Sequence, residues 1–125
     1  MRITARSVAI FSADHFDLTF ADLCSQARPR HIARARQVAM YCMRLLVPRM
    51  SLPAIGTMLG GRDHTTVLHG IRTVEALMKR GELIADVDRI TAAFAATTDP
   101  VADEIAVLEA RLAILRAQQA WRPAA

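Results

Sequence analysis

The sequence predicts an all-α protein made of several short helices, with an extra helix at its C-terminal end. Of its 125 residues, 53% are hydrophobic but only 5% are aromatic, so the core should consist mainly of Ala, Leu, Ile, Val and Met. Five glycines and five prolines are too few for a turn-rich β-sandwich or β-barrel. Apolar residues recur at helical spacing between these breaks. Together these features favour helices throughout.

The first two helices are short. An apolar segment at residues 5–15 has near-helical spacing and predicts the first helix. Thr19 and Asp22 stand three residues apart, as in a capping box, which predicts that a second helix begins at Phe20.

A longer third helix is predicted over residues 31–46. It follows a basic turn in which Pro29 disfavours helical angles at Arg28, and Pro48 ends it. The apolar residues expected to face the core are Ala35, Val38, Ala39, Cys42, Leu45 and Leu46.

The next two helices predict a helix-turn-helix. Ser51 begins the first of them, with Pro53 in its opening turn, and the glycines at 60 and 61 end it. Asp63 is a suitable N-cap for the second helix. That helix should bury its apolar rows at Val67, Ile71, Val74 and Met78. Two helices joined by a short glycine-containing turn are typical of this motif.

Two further helices follow. Residues 83–96 have helical apolar spacing, and residues 97–100 form a break, where Asp99 can cap a last helix that begins at Pro100. We therefore expect two domains, residues 1–97 and residues 98–125. The apolar stripe at 101–115 is compatible with core packing, with dimerisation or with binding a partner helix, and Trp121 can pack on the same stripe.

Positive charge is concentrated in one third of the chain. The net charge is +4, but residues 23–62 hold seven arginines and no acidic residue, so the remainder carries all twelve acidic groups. The pattern is compatible with a solvated face. It also fits an anionic partner, since arginine forms bidentate contacts with phosphate and guanine.

In a helix-turn-helix, the first turn of the second helix enters the major groove of DNA. Here that turn comprises residues 62–66, with the sequence RDHTT. His64 can donate or accept a hydrogen bond, and a threonine offers a base edge both a hydroxyl and a methyl group.

These residues carry a family resemblance. The runs SLPAIG at 51–56 and GGRDHTTVLH at 60–69 resemble the signature of the C-terminal DNA-binding domain of the bacterial replication initiator DnaA. The run RPRHIARARQVAM at 28–40 looks like the basic loop and long helix that precede it in that family. The resemblance covers roughly residues 5–96 and implies an all-α domain that binds asymmetric boxes of the TTATNCACA type.

The resemblance also implies roles for individual residues. Residues 63–66 match positions that read bases in the major groove, and Arg28 matches an arginine that enters the adjacent minor groove. Arg36 and Gln37 match positions close to DNA, and Arg44 matches one that contacts the DNA backbone. The candidate DNA-binding residues are Arg28, Arg30, Arg34, Arg36, Gln37, Arg44, Arg62, Asp63, His64, Thr65 and Thr66.

The chain departs from the family pattern in several places. Gln26 and Ala27 replace positions that are often basic, which removes potential phosphate contacts. Gly70 lies inside the recognition helix, where it should cost about 1 kcal/mol relative to alanine. The chain has no GxxxxGK[ST] phosphate loop, so we expect the DNA-reading part without ATP binding.

Two functions remain open at this stage. The first is sequence-specific binding of double-stranded DNA at DnaA-type boxes, regulating replication initiation or transcription. The second is a protein-interaction module that modulates the initiation machinery by binding DnaA itself or an AAA+ regulator through the last two helices. A homodimer through residues 101–121 is a further possibility. No catalytic or metal-binding pattern stands out, so we expect neither an enzyme nor a cofactor. Without an apolar membrane segment, the protein should be cytoplasmic and nucleoid-associated.

Overall fold

The computed structural model describes residues 3–95 and 100–120, and side chains of the last helix at positions 105, 107–117. All regular structure in these ranges is helical, which confirms the predicted fold class. The helices are α1 (Ala5–His15), α2 (Phe20–Cys24), α3 (Arg30–Leu46), α4 (Leu52–Met58), α5 (His64–Lys79), α6 (Ile84–Ala95) and α7 (Pro100–Ala120). None of these helices is long and apolar enough to cross a membrane.

Capping boxes fix the first two helices. At α2 the Asp22 amide donates to Thr19 Oγ1 at 3.2 Å, and the Thr19 amide donates to Asp22 Oδ2 at 2.9 Å, as predicted. A second capping box at α1 pairs Thr4 with Ser7 and was not predicted. Ser51 caps α4 by accepting from the Ala54 amide at 3.3 Å. These caps satisfy amides that have no partner within the helix.

The core surrounds α3, which packs against α1, α2, α4, α5 and α6. Four of its predicted core residues are fully buried: Ala35, Val38, Ala39 and Cys42. The prediction for Leu45 is wrong, because its side chain is 52% exposed. The buried sector is broader than the predicted stripe and also includes Arg36, Met40 and Met43. A helix contacted on several sides buries a wider sector than a surface helix does.

Helix α5 packs on α3 and α4. Val67 and Val74 are fully buried and Ile71 is nearly so, which confirms the predicted apolar rows at these positions. At the other side of the core, α6 is tied to α1 by His15 and Asp86, whose Nε2 and Oδ1 atoms are 2.7 Å apart.

Of the described residues, 3–95 form one compact unit, and α7 belongs to a second. In the second unit, the large apolar side chains described on α7 are 46–66% exposed: Ile105, Val107, Leu108, Leu112, Ile114 and Leu115. The predicted Asp99 cap and the Trp121 contact lie outside the described residues. The domain boundary after residue 97 stays a prediction.

Candidate nucleic-acid interface

The turn between α4 and α5 is tight and lies against the end of α2. Gly60 and Gly61 adopt φ values of +88° and +76°, which favour glycine. A Cβ atom on Gly60 would lie only 2.2 Å from the Cys24 carbonyl oxygen. The Arg62 amide donates to the Gly56 carbonyl at 2.8 Å and so ties the turn back to α4. The predicted helix-turn-helix is thus present, and its turn touches the segment that precedes α3.

The first turn of α5 carries an exposed polar group, which we call the recognition tip (residues 63–66). Asp63 occupies the N-cap position, as predicted, although its side chain makes no capping hydrogen bond. Instead its Oδ1 atom lies 2.8 Å from His64 Nδ1, and its Oδ2 atom accepts from the Thr65 hydroxyl at 2.7 Å. The Asp63 carboxylate thus contacts two neighbouring side chains of the same helix turn.

The tip is exposed and pre-arranged. The Asp63 and His64 side chains are 63% and 57% exposed. The hydrogen bond from Thr65 holds the pKa of the Asp63 carboxyl below its ordinary value, and His64 lowers this pKa further. Because His64 Nδ1 faces this carboxylate, Nε2 is the ring nitrogen left for another partner. The tip therefore presents acceptor atoms and threonine methyl groups, both of which suit base edges in a major groove.

The segment of residues 25–29 between α2 and α3, here the basic loop, has little regular structure. Arg28 is exposed on it. Within the loop, the Ala27 amide donates to Ser25 Oγ at 3.3 Å, while the Ser25 hydroxyl donates to the Asp22 carbonyl at 2.6 Å. Pro29 stands at the start of α3 and makes no side-chain cap bond. Such local bonds alone would not hold an extended segment in one conformation.

Arg36, on α3, holds the basic loop in place by hydrogen bonds to its backbone and to Leu23. Its side chain is nearly buried, with the residue only 7% exposed. Nε donates to the Leu23 carbonyl at 2.7 Å, and Nη2 donates to the carbonyls of Ser25 at 2.9 Å and Ala27 at 3.3 Å. One guanidinium group therefore bridges three alternate residues immediately before Arg28.

Arg62 supports the same segment from the helix-turn-helix turn. Its Nη2 atom donates to the Ser25 carbonyl at 2.6 Å, and Nη1 donates to the Leu23 carbonyl at 3.4 Å and also to the Leu59 carbonyl. Arg36 and Arg62 thus share two acceptors, the carbonyls of Leu23 and Ser25. Burial lowers the pKa of both arginines, and the charge of Arg62 lowers the pKa of Arg36 further.

The remaining predicted residues differ in what they contact. Arg30 and Thr66 are exposed. Arg34 donates from Nη1 to Gln37 Oε1 at 3.0 Å, which places both on one side of α3. Arg44 donates to the Pro48 carbonyl at 3.2 Å and the Met50 carbonyl at 2.8 Å, so it supports the loop before α4. Arg44 lies fourteen positions after Arg30, which is about 21 Å along the helix axis.

Gly70 permits the close approach of α5 to α3. A Cβ atom at this position would lie 2.8 Å from Met40 Sδ and 3.3 Å from Gln37 Cγ. Glycine at this position lowers helix stability, but it allows a tight contact between α5 and α3 that a larger residue would disturb.

The structure therefore joins two of the predicted groups. The basic loop that carries Arg28 and the turn that leads into the recognition tip meet through Arg36 and Arg62. The sequence prediction missed this supporting role, along with the contact between Gly60 and Cys24. One signal was available: residues 36, 40 and 43 share a helical face, so Arg36 lies on the same side as two buried methionines.

Among the described residues, no group of three or more His, Cys, Asp or Glu side chains is placed to hold a metal ion. Cys24 is half-buried and Cys42 is buried, and neither forms a disulfide. Burial raises the pKa of the Cys42 thiol to about 12.

Comparison with known proteins gives the same assignment as the motifs. A family model described as "Bacterial dnaA protein helix-turn-helix" matches residues 4–74. The match covers α1 to α4, the turn and most of α5.

Several chromosomal replication initiator proteins DnaA are similar to this chain. The protein of Cereibacter sphaeroides (strain ATCC 17029 / ATH 2.4.9) is 45% identical over 85 residues, which are 68% of this chain and 18% of that protein. The Zymomonas mobilis protein is 51% identical over 76 residues, 61% of this chain and 16% of its own length. The protein of Caulobacter vibrioides (strain NA1000 / CB15N) is 44% identical over 91 residues, 72% of this chain and 18% of that protein. The chain therefore spans less than a fifth of the length of these relatives.

Proposed function

Because this chain belongs to the bacterial DnaA helix-turn-helix family, we propose that it binds double-stranded DNA sequence-specifically at boxes of the TTATNCACA type. The recognition tip (residues 63–66) reads base edges in the major groove, and Arg28 reads the adjacent minor groove. Arg30, Arg34, Gln37 and Arg44 contribute contacts with the phosphates or close to them.

The observation that carries this proposal is the junction of two exposed polar elements of different kinds. The recognition tip projects from the start of a helix that is seated by its apolar face. The basic loop presents Arg28 from an extended segment that shares Arg62 with the same turn. A helix tip fits a major groove, and an extended basic segment fits a minor groove, so a single DNA duplex can engage both.

Electrostatics supports the same surface. Residues 23–62 hold seven arginines and no acidic residue, and four of these arginines are exposed: Arg28, Arg30, Arg44 and Arg49. Contacts between arginine and phosphate provide affinity that depends on salt, whereas contacts with base edges provide sequence preference. We infer a cytoplasmic, nucleoid-associated, non-enzymatic protein that regulates replication initiation or transcription by occupying such boxes.

Fluorescence anisotropy tests the proposal. A labelled duplex that carries one box is compared with a scrambled duplex over a salt series, for the wild-type protein and for Thr65→Ala. We expect the wild type to prefer the box by about tenfold or more, and Thr65→Ala to lose about 1–3 kcal/mol of that discrimination. Equal binding of both duplexes by the wild type would refute sequence-specific recognition.

A second candidate function is favoured by α7. Its described apolar side chains are about half exposed, among them Leu108 at 55% and Leu112 at 46%. An exposed apolar helix can bind a second copy, DnaA or an AAA+ regulator. Light scattering after chromatography measures self-association directly. The double variant Leu108→Glu/Leu112→Glu should abolish an interaction made by α7 while leaving the preference for box DNA intact.

A further inference from the structure

We propose that Arg36 and Arg62 are positioning residues of the DNA site, which together lock the basic loop to the recognition turn. The minor-groove preference contributed by Arg28 then depends on two side chains that need not touch a base. This inference rests on the proposed function and adds to it the part of the chain that sets the geometry of one reading element.

The hydrogen bonds place the lock directly before Arg28. Arg36 donates to the carbonyls of residues 23, 25 and 27, and Arg62 donates to the first two of these. Fixing alternate carbonyls fixes the direction of the peptide planes between them. The next residue in the chain is Arg28, so its starting point and direction are set by this lock.

The lock also connects the two reading elements. The Arg62 backbone is tied to α4 through the Gly56 carbonyl, and the next residue, Asp63, begins the recognition tip. The side chain of Arg62 meanwhile holds Ser25 in the basic loop. A displacement of the loop relative to the tip would break these bonds, so the spacing between the two elements is built into the free protein.

The chemistry requires arginine at both positions. A guanidinium group offers five donors in a planar fork, which allows Arg36 to reach three carbonyls at once. A lysine ammonium keeps the charge but donates from a single atom at the end of a flexible chain. Replacement of either arginine by lysine therefore removes the geometry and preserves the charge.

Charge pairing does not explain the arrangement. The acceptors observed for both arginines are backbone carbonyls, and neither side chain is in an ion pair among the described residues. Two like charges that share acceptors in a partly buried site repel each other, and burial of charge is costly. The arrangement is therefore better explained by the loop geometry that it enforces than by electrostatic stabilisation.

Base analogues can isolate the minor groove. An inosine–cytosine pair presents the major groove of a G·C pair but lacks the guanine amino group in the minor groove. At each A·T position of the box, the ratio of affinities for I·C and G·C duplexes thus reports only minor-groove recognition. The ratio for A·T and I·C duplexes reports only the major groove. Anisotropy measures both ratios for the wild type, Arg36→Lys, Arg62→Lys and Arg28→Ala.

We expect the wild type to prefer I·C over G·C by about tenfold at one or more pairs, and Arg28→Ala to lose this preference. Arg36→Lys and Arg62→Lys should each reduce the ratio at the same pairs at least threefold, while their major-groove ratios change less than twofold. Arg89→Lys on α6 makes the same exchange at an exposed position and should match the wild type.

Three results would overturn the inference. If folded Arg36→Lys and Arg62→Lys keep the wild-type minor-groove ratio, the lock has no role in reading, and the proposed function stands. If both ratios fall together, these arginines support the whole site rather than the loop. If the wild type shows no preference for I·C over G·C at any pair, the role of Arg28 in the proposed function fails as well. Circular dichroism melts identify folded variants, and should Arg36→Lys not fold, the more exposed Arg62→Lys decides the question.

Discussion

The recognition tip and the basic loop expose similar polar side chains but are held in place by different means. The tip continues into an apolar face whose Val67 is fully buried, so packing of α5 positions it. Its own side chains bond to each other. The basic loop contributes no buried side chain of its own and depends on Arg36 and Arg62. Changes in the tip should therefore act mainly on recognition, whereas changes in the residues that hold the loop should alter recognition and stability together.

The largest effect on stability is expected when a hydrogen-bonding partner of the basic loop is removed. Arg36→Ala removes three hydrogen bonds from a nearly buried guanidinium; the Leu23 and Ser25 carbonyls keep Arg62 as a donor, and the Ala27 carbonyl loses its arginine donor. We expect the free energy of unfolding to fall by on the order of 3 kcal/mol in urea denaturation.

Arg30→Ala is the matched control, because Arg30 is exposed at the start of the same helix. It should change stability by less than about 0.5 kcal/mol. Equal stabilities of the two variants would show that the loop does not need Arg36.

The next largest effect is expected when the packing of α5 against α3 is disturbed. Gly70→Val places methyl groups against Met40 Sδ, which already lies 2.8 Å from the position of a Cβ atom. We expect a destabilisation of about 1–2 kcal/mol from overpacking, measured in the same denaturation experiment.

Ala76→Val adds the same side chain at an exposed position of α5 and should cost only about 0.5 kcal/mol, from helix propensity. A Gly70→Val protein as stable as Ala76→Val would argue against the close contact between α3 and α5.

A smaller effect is expected on the labelling rates of the two natural cysteines, which report on the loop and on the core separately. Cys24 is half-buried where the loop meets the turn, and its thiol donates to the Met58 carbonyl at 3.4 Å. Cys42 is buried in the core with its pKa raised to about 12, so it should react only on global unfolding. Arg62→Lys loosens the loop locally, and loss of one charge-assisted hydrogen bond should speed labelling of Cys24 about tenfold.

Mass spectrometry after alkylation measures the labelling of both cysteines. Cys42 in the same sample serves as the internal control. Acceleration of both cysteines by the same factor would mean that Arg62→Lys destabilises the whole domain instead of opening the loop.

The smallest effect concerns the tip. Thr65→Ala removes the main hydrogen bond that lowers the pKa of Asp63, so this pKa should rise towards its ordinary value. In the wild type the lowered pKa means that the contribution of Asp63 to stability is present above its unfolded pKa and is lost as the pH falls through the folded one. Carboxyl ¹³C titration by NMR measures the shift, and an unchanged Asp63 pKa would contradict the hydrogen bond.

Much of the fold could be predicted from local signals. Helix α1 has the predicted bounds, and the capping box at Thr19 and Asp22 is as expected. The errors arise where several elements meet. Leu45 has apolar spacing but lies at the edge of the sector that the neighbouring helices cover. Asp63, whose signal is local, takes its predicted N-cap position.

The site was predictable in its exposed parts and not in its supports. The motif GGRDHTTVLH predicts the turn and the tip because both are local in sequence. The partners of Arg36 and Arg62 are backbone carbonyls of residues in other elements, and a carbonyl has no sequence signature. Sequence alone likewise shows Gly70 only as a residue that lowers helix stability. Its close packing against Met40 is seen only in the structure.

The most direct test of the account is an NMR titration of ¹⁵N-labelled protein with a duplex that carries one box. The account predicts that the largest amide shifts fall in two groups, residues 25–30 and residues 62–68, and that both saturate together at one duplex per protein. Large shifts in only one group, or shifts centred on α1 and α6, would contradict a DNA surface built jointly from the basic loop and the recognition tip.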